Sequence, residues 1–66
     1  MKISVQLKTD WDHEVIDVFL VINEGKTIKE IWIKGFDDID WQEAEVYAKL
    51  LAETTKSEYL GDMTNE

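Results

Sequence analysis

The stretch EVIDVFLVINEGKTIKEIWIKG, residues 14–35, decides the fold. Two runs rich in β-branched and aromatic residues flank Asn23-Glu24-Gly25-Lys26, where Gly25 is free to take a positive φ. This is the pattern of a β-hairpin. With Glu24 and Gly25 as the loop, Ile22 faces Thr27, Leu20 faces Lys29, Val18 faces Ile31 and Ile16 faces Ile33. One side then carries Ile16, Val18, Leu20, Ile22, Ile31 and Ile33, a natural seat for a helix. The other carries Val15, Asp17, Phe19, Val21, Ile28, Glu30 and Trp32. An open antiparallel sheet usually turns polar groups to water, so this second face reads as an interface, with Phe19, Val21, Ile28 and Trp32 as a candidate dimer face. A register shifted by one residue, or cover from the C-terminal tail, would remove that reading.

Working outward, Ile3, Val5 and Leu7 alternate with Lys2, Ser4, Gln6 and Lys8, the period of a half-buried strand. Beyond the hairpin, Asp40 followed by Glu43 has the spacing of a capping box, with Asp37 and Asp38 just ahead, where negative charge suits a helix dipole. Ala44, Tyr47, Ala48 and Leu51 follow at helical spacing. The expected architecture is α+β in one domain over residues 1–66. Strands at about 2–8, 14–22 and 27–34 form a three-stranded antiparallel sheet, and one helix at about 40–56 packs on one face. Residues 61–66 are expected to fray.

A chain of 66 residues buries only about 60% of its unfolded surface, so a staple is expected. Cysteine is absent and His13 is the only histidine, which leaves self-association, a homodimer, as the expected staple. The longest apolar run, residues 18–22, is strand-sized, and the alternating N-terminus does not resemble a signal peptide. A cytoplasmic protein is expected. Fifteen acidic residues against seven lysines, with no arginine, give a net charge of −8. Such a field repels free nucleic acid and anionic membrane, and serves either solubility or a basic partner.

Chemistry is hard to find. A carboxylate pair acting as acid and base needs one member raised in pKa inside a dry cleft. Asp10, Asp12, Asp37, Asp38 and Asp40 fall in polar loops instead. The Asp37-Asp38-x-Asp40 series lacks the length and central glycine of a calcium loop, and Gly25-Lys26 lacks the phosphate-loop pattern around it. No catalytic residue, metal site or cofactor is expected. What remains is acids beside aromatics. Asp10, Asp12 and Glu14 alternate, so on extended chain their carboxylates would recur every ~6.5–7 Å. Trp41 falls at the first helical position beside the acids, either as a binding anchor or folded back as a staple over the sheet.

The order of strand, Gly25-Lys26 turn, strand, Lys34-Gly35, then Asp40 and Trp41 opening a helix resembles the short uracil-DNA glycosylase inhibitors of Bacillus podoviruses. The resemblance covers residues 18–51. It implies an acidic homodimer that mimics DNA and blocks the DNA-binding face of the enzyme in the cytoplasm of an infected bacterium. By position, the family's helix-start aromatic falls on Trp41, where it would help shape an apolar pocket for the enzyme's DNA-intercalating side chain. The family's strand acid falls on Glu30. The acid after the aromatic is replaced by Gln42, with Glu43 next, and the family's helix tyrosine falls on Glu45, with Tyr47 nearby. The expected partner-binding set is therefore Trp41, Glu30, Gln42, Glu43, Glu45, Asp37, Asp38 and Asp40. The competing expectation is another acidic binding module, such as an anti-restriction, anti-CRISPR or toxin-neutralising protein.

Overall fold

A computed structural model describes residues 1–62. Strands β1 (Lys2–Asp10), β2 (Val15–Glu24) and β3 (Thr27–Asp37) follow in order, each longer than its periodicity predicts. A single 3-10 turn, Asp38–Asp40, leads into helix α1 (Trp41–Thr55), and strand β4 (Glu58–Asp62) closes the described chain. The sheet is four-stranded and mixed, in the order β3-β2-β1-β4. The expected three-stranded antiparallel sheet is thus incomplete. β4 pairs parallel with β1, Val5 opposite Tyr59, so Gly61 and Asp62 belong to a strand and not to a frayed tail. The rest of that expected tail, residues 63–66, lies outside the described residues. The physical reason is topological. A helix of 15 residues spans about 22 Å, enough to carry the chain back along the sheet, and a strand returning by such a crossover runs parallel to its neighbour.

The hairpin register differs from expectation by two residues. Gly25 and Lys26 form the loop, Glu24 pairs with Thr27, and Ile22 lies opposite Lys29. Of the two loop residues only Gly25 takes a positive φ, 64°, which places the glycine first in the loop instead of second. Side chains alternate with period two, so a slip of two leaves every β2 residue on its expected face. A bulge follows. Phe19 pairs with Trp32 but Val18 pairs with Lys34, leaving Ile33 as the extra residue. The bulge reverses the alternation of β3, which turns Phe36 toward the helix and continues the strand through Gly35. Phe36 meets Tyr47 with ring centroids 5.5 Å apart, and Lys34 Nζ sits over both rings, at 5.0 and 5.4 Å.

The core joins Val5 and Leu7 of β1, Ile16 and Val18 of β2, and Ala44, Ala48 and Ala52 of α1, with Trp41, Tyr47 and Tyr59 packed around it. Small alanines let the helix lie close over the central strands. Ile31 of β3 is 42% exposed, so the helix does not cover the far edge of the hairpin as expected. Burial raises the Tyr59 phenol above its ordinary range, with the Glu45 carboxylate adding to the effect. No helix among the described residues is long and apolar enough to cross a membrane.

Helix α1 ends by a left-handed cap. Lys56, φ 55°, donates its N–H to Glu53 O at 3.2 Å, and Ser57 N–H reaches Ala52 O at 2.8 Å. A side chain with a Cβ is strained at that φ. Lys56→Gly is expected to add about 1 kcal/mol, a rise of roughly 4–8 °C in the melting temperature of so small a domain. A thermal melt followed by circular dichroism checks this.

Candidate partner-binding site

The antiparallel run of β1, β2 and β3 brings the end of β1, the start of β2 and the end of β3 together, with Asp10 opposite Val15 and Val15 opposite Asp37. Parallel pairing brings the last residue of β4, Asp62, to the same end, opposite Leu7. The helix also starts there. Asp10, Asp12, Glu14, Asp37, Asp38, Asp40, Glu43 and Asp62, more than half of the 15 acidic residues, therefore gather at one end of the molecule. Lys2, Lys26, Lys29 and Lys56 lie toward the other, beside the hairpin loop and the helix C-terminus. The chain carries a strong charge asymmetry along the strands.

Two acidic loops are fastened to each other. The carbonyl of Glu14 accepts the N–H of Asp38 at 3.0 Å. Glu14 holds a left-handed φ of 56° while doing so. Within the first loop, Asp10 accepts the N–H groups of Asp12 and His13, at 3.1 and 3.3 Å, and meets His13 Nδ1 at 2.8 Å. These bonds, the His13 ring first, hold the Asp10 carboxyl below its usual 3.8. Asp10 accordingly stays ionised, and its hold on the turn is lost only as pH falls through that lowered value. The turn breaks the extended spacing expected of Asp10, Asp12 and Glu14: Asp12 lies in the turn and Glu14 is left-handed, so these carboxylates form no straight row.

The Asp40–Glu43 capping box does not form, and neither Asp37 nor Asp40 makes a side-chain cap bond. The reason lies in the preceding 3-10 turn, which winds Asp38–Asp40 before the helix begins and leaves Asp40 at φ −96°, ψ 32°, not in the extended conformation a cap needs. Asp37 is exposed and Asp40 half-buried, and neither carboxylate is engaged by the helix start.

Between these loops lies a cavity of about 280 Å³, lined by Thr9, Trp11, Ile16, Asp38, Trp41 and Asp62. Trp41 is half-buried. It packs against the core, as a staple over the sheet would, and it lines this cavity. Trp11 is 65% exposed and Ile39 is 87% exposed in the midst of the acids. Sequence reasoning left both out of the site. The signal for Trp11 was its place between Asp10 and Asp12, an aromatic that no periodic pattern claims.

The other expected site residues are distributed. Gln42 and Glu43 border a groove of about 390 Å³ between β3 and α1, with Phe36, Val46, Tyr47 and Leu50. Glu45 points to the β4 side, where it pairs with Lys49 at 3.1 Å. Glu30 lies on the opposite, open face of the sheet, bound to Lys8 at 2.8 Å, and Lys8 also sits over the Phe19 ring. On that face Trp32 donates its indole N–H to Asp17 at 3.0 Å. Val21 is buried and Phe19 half-buried, while Ile28 and Trp32 are exposed. Asp17 and Glu30 thus have partners within the chain; Glu30 lies away from the acidic end, whereas Asp17 and Trp32 border a cavity with Asp37, Asp40 and Glu43.

Glu14→Gly removes one carboxylate from this end and releases a left-handed side chain. Stability is expected to stay within about 1 kcal/mol of the parent or above it, because glycine adopts that φ without strain. A denaturant melt distinguishes this from a loss of several kcal/mol.

Among the described residues no group of three or more His, Cys, Asp or Glu side chains is placed to hold a metal ion. No family model matches this chain, and no curated protein or solved structure does either.

Proposed function

We propose that the protein is an acidic inhibitor that occupies the DNA-binding face of a basic enzyme, with uracil-DNA glycosylase as the target. The observation that carries this reading is the gathering of acids from β1, β3, β4, the β1–β2 turn and the helix start onto one end, with exposed Trp11 and Ile39 among them. An enzyme that grips DNA presents a basic groove. Complementary carboxylates speed encounter with such a groove, by a factor of about 10–10³ at low salt. Apolar contacts then slow dissociation, which is where most affinity is set. The charge geometry supports the kind of target; the resemblance of residues 18–51 supplies its name. Such an inhibitor would work in the cytoplasm of an infected bacterial cell.

Self-association belongs to the open face of the sheet, where Ile28 and Trp32 remain exposed beside Phe19 and Val21. Trp32 also borders Asp37, Asp40 and Glu43 across a shared cavity, so this face adjoins the acidic end. Trp32→Ala, which removes the largest exposed group of that face, is expected to lower the dimer fraction in sedimentation equilibrium without unfolding the chain.

The test of the function is excision of uracil from an oligonucleotide by a purified bacterial uracil-DNA glycosylase. Loss of activity in proportion to added protein, complete near one inhibitor assembly per enzyme, is the expected result. Full activity at large excess sinks the glycosylase reading. The acidic end would then belong to another basic partner, a restriction enzyme, a CRISPR effector or a toxin.

A further inference from the structure

Strand β3 is the outer strand of the sheet, and among the described residues no strand pairs with its far edge. Such an edge carries a row of unpaired N–H and C=O groups, which proteins usually blunt with short strands, bulges, proline or charge. The other edge fits that habit: β4 has five residues, with Gly61 inside it and Glu58 and Asp62 at its ends. β3 runs for 11 residues without proline and exposes Ile28 (63%), Ile31 and Trp32 (58%).

The hairpin fixes which backbone groups point outward. Its two-residue loop closes with Glu24 paired to Thr27, which turns the Thr27 backbone toward β2. Antiparallel ladders alternate, so Lys29 and Ile31 also bond inward, while Ile28, Glu30 and Trp32 present N–H and C=O to the free edge. The bulge at Ile33 ends this regular stretch.

The side chains along it are self-complementary. An antiparallel pair of β3 strands about a two-fold axis at Glu30 sets Ile28 opposite Trp32 of the second copy, and Trp32 opposite its Ile28. Lys29 lies opposite Ile31, whose exposed flank its alkyl stem covers. An axis at Lys29 sets that lysine against itself. An axis at Ile31 sets Trp32 against Glu30, and one at Trp32 runs into the bulge. The one unfavourable pair at a Glu30 axis is Glu30 with itself, since like charges directly opposite destabilise a sheet. Lys8 removes that obstacle. Its Nζ lies 2.8 Å from the Glu30 carboxylate and 5.2 Å from the centroid of Phe19. Because Lys8 belongs to β1, two strands in, the pair draws the Glu30 carboxylate across the sheet, away from the edge. Trp32 is likewise fixed in place, its indole N–H held by Asp17 at 3.0 Å.

We propose that the outer edge of β3 pairs antiparallel with β3 of a second copy, about an axis at Glu30, joining the two sheets into one. This rests on the reading of the protein as self-associating through Ile28 and Trp32, and gives that association its register. In it, the backbone of Ile28, Glu30 and Trp32 exchanges hydrogen bonds across the edge, and Lys8 is the positioning residue that keeps the axis free of facing charges.

The experiments use the full chain and no enzyme, so their failure is separable from failure of the excision assay. Sedimentation equilibrium between ~10 µM and ~1 mM measures the dissociation constant. Equal parts of isotope-labelled and unlabelled protein then report contacts between copies by isotope-filtered NMR. Lys29 and Ile31 lie ~6.5–7 Å apart along one strand, but across the proposed edge their Cα atoms approach to ~4.5 Å. A strong Hα–Hα contact between Lys29 of one copy and Ile31 of the other is expected, with amide exchange at Ile28, Glu30 and Trp32 slowing as the dimer forms. Lys8→Ala should weaken the dimer by about tenfold, because it returns two carboxylates to the axis. Adding Glu30→Gln should restore most of that loss, which a purely structural role for Lys8 does not allow. Lys49→Ala makes the same charge change on the helix and should leave the constant within about twofold. A monomer across the whole range overturns both the self-association reading and this edge. A dimer without the Lys29–Ile31 contact, or one indifferent to Lys8→Ala, overturns the edge alone and assigns the association to another surface.

Discussion

A chain ending at Ser57 should not fold. β4 covers the outer edge of β1, and β1 carries Val5 and Leu7, two of the most deeply buried side chains. Removing β4 strips Tyr59 from the core margin and leaves the β1 backbone without its parallel partner. Each hydrogen bond lost is worth about 0.5–1.5 kcal/mol, and the burial of an aromatic side chain up to about 1.5–3 kcal/mol. Together these losses reach several kcal/mol. A domain of 66 residues has only about 3–10 kcal/mol in total. The expected outcome is loss of the cooperative thermal transition in circular dichroism, whereas a chain ending at Asp62, which keeps β4 whole, serves as the control. A truncated chain that melts within a few degrees of the parent would show that the fourth strand contributes little.

The second large effect is on binding. Reversing Asp12, Asp37 and Asp40 to lysine changes the charge of the acidic end by six units without touching the core. Asp10 is left alone because its carboxylate holds the first turn. Electrostatic steering is the first contribution to fail, so the association rate with the glycosylase is expected to fall by about 10²–10³ at low salt. The difference should shrink as ionic strength rises, because exposed charges are screened over ~8–10 Å near physiological salt. Stopped-flow fluorescence at several salt concentrations measures both. A rate unchanged by the triple reversal would place the contact elsewhere on the molecule. The same three positions replaced by asparagine should lie between the parent and the lysine variant, which separates steering from local damage.

How far the sequence could be read follows from which patterns are local. The two faces of the β2–β3 hairpin were legible even though its pairing was misjudged by two residues, since a slip of two conserves the face on which each side chain lies. Neither the bulge at Ile33 nor its consequence, Phe36 turned to the helix, has a local signal. Periodicity runs unbroken through Ile31 and Ile33, and only the packing of Phe36 on Tyr47 selects the reversal. β4 was illegible for a different reason. Five residues with Gly61 among them show no usable alternation, and the strand exists because β1, more than fifty residues away in the chain, offers an edge. Propensity gives no access to a partner so remote.

The candidate site divides in the same way. Asp37, Asp38, Asp40 and Trp41 fall within five consecutive residues and could be singled out from the chain alone. Their union with Asp10, Asp12, Glu14 and Asp62 depends on three strand ends and a parallel strand meeting at one place. Trp11 entered only through the fold, because an aromatic in a polar turn acquires a role from what the turn faces. Glu30 shows the converse. Its position in the strand matched the resemblance, yet it sits on the open face, held by Lys8.

The most direct test of the central claim, that the acidic end is the surface that meets a basic enzyme, is hydrogen exchange on the protein alone and mixed with excess glycosylase. Slowed exchange concentrated in residues 10–14 and 37–43, with the hairpin loop at Gly25 and Lys26 unchanged, is the predicted result. Protection at the hairpin loop and the helix C-terminus with the acidic end left as it was, or no protection anywhere at saturating enzyme, would contradict it.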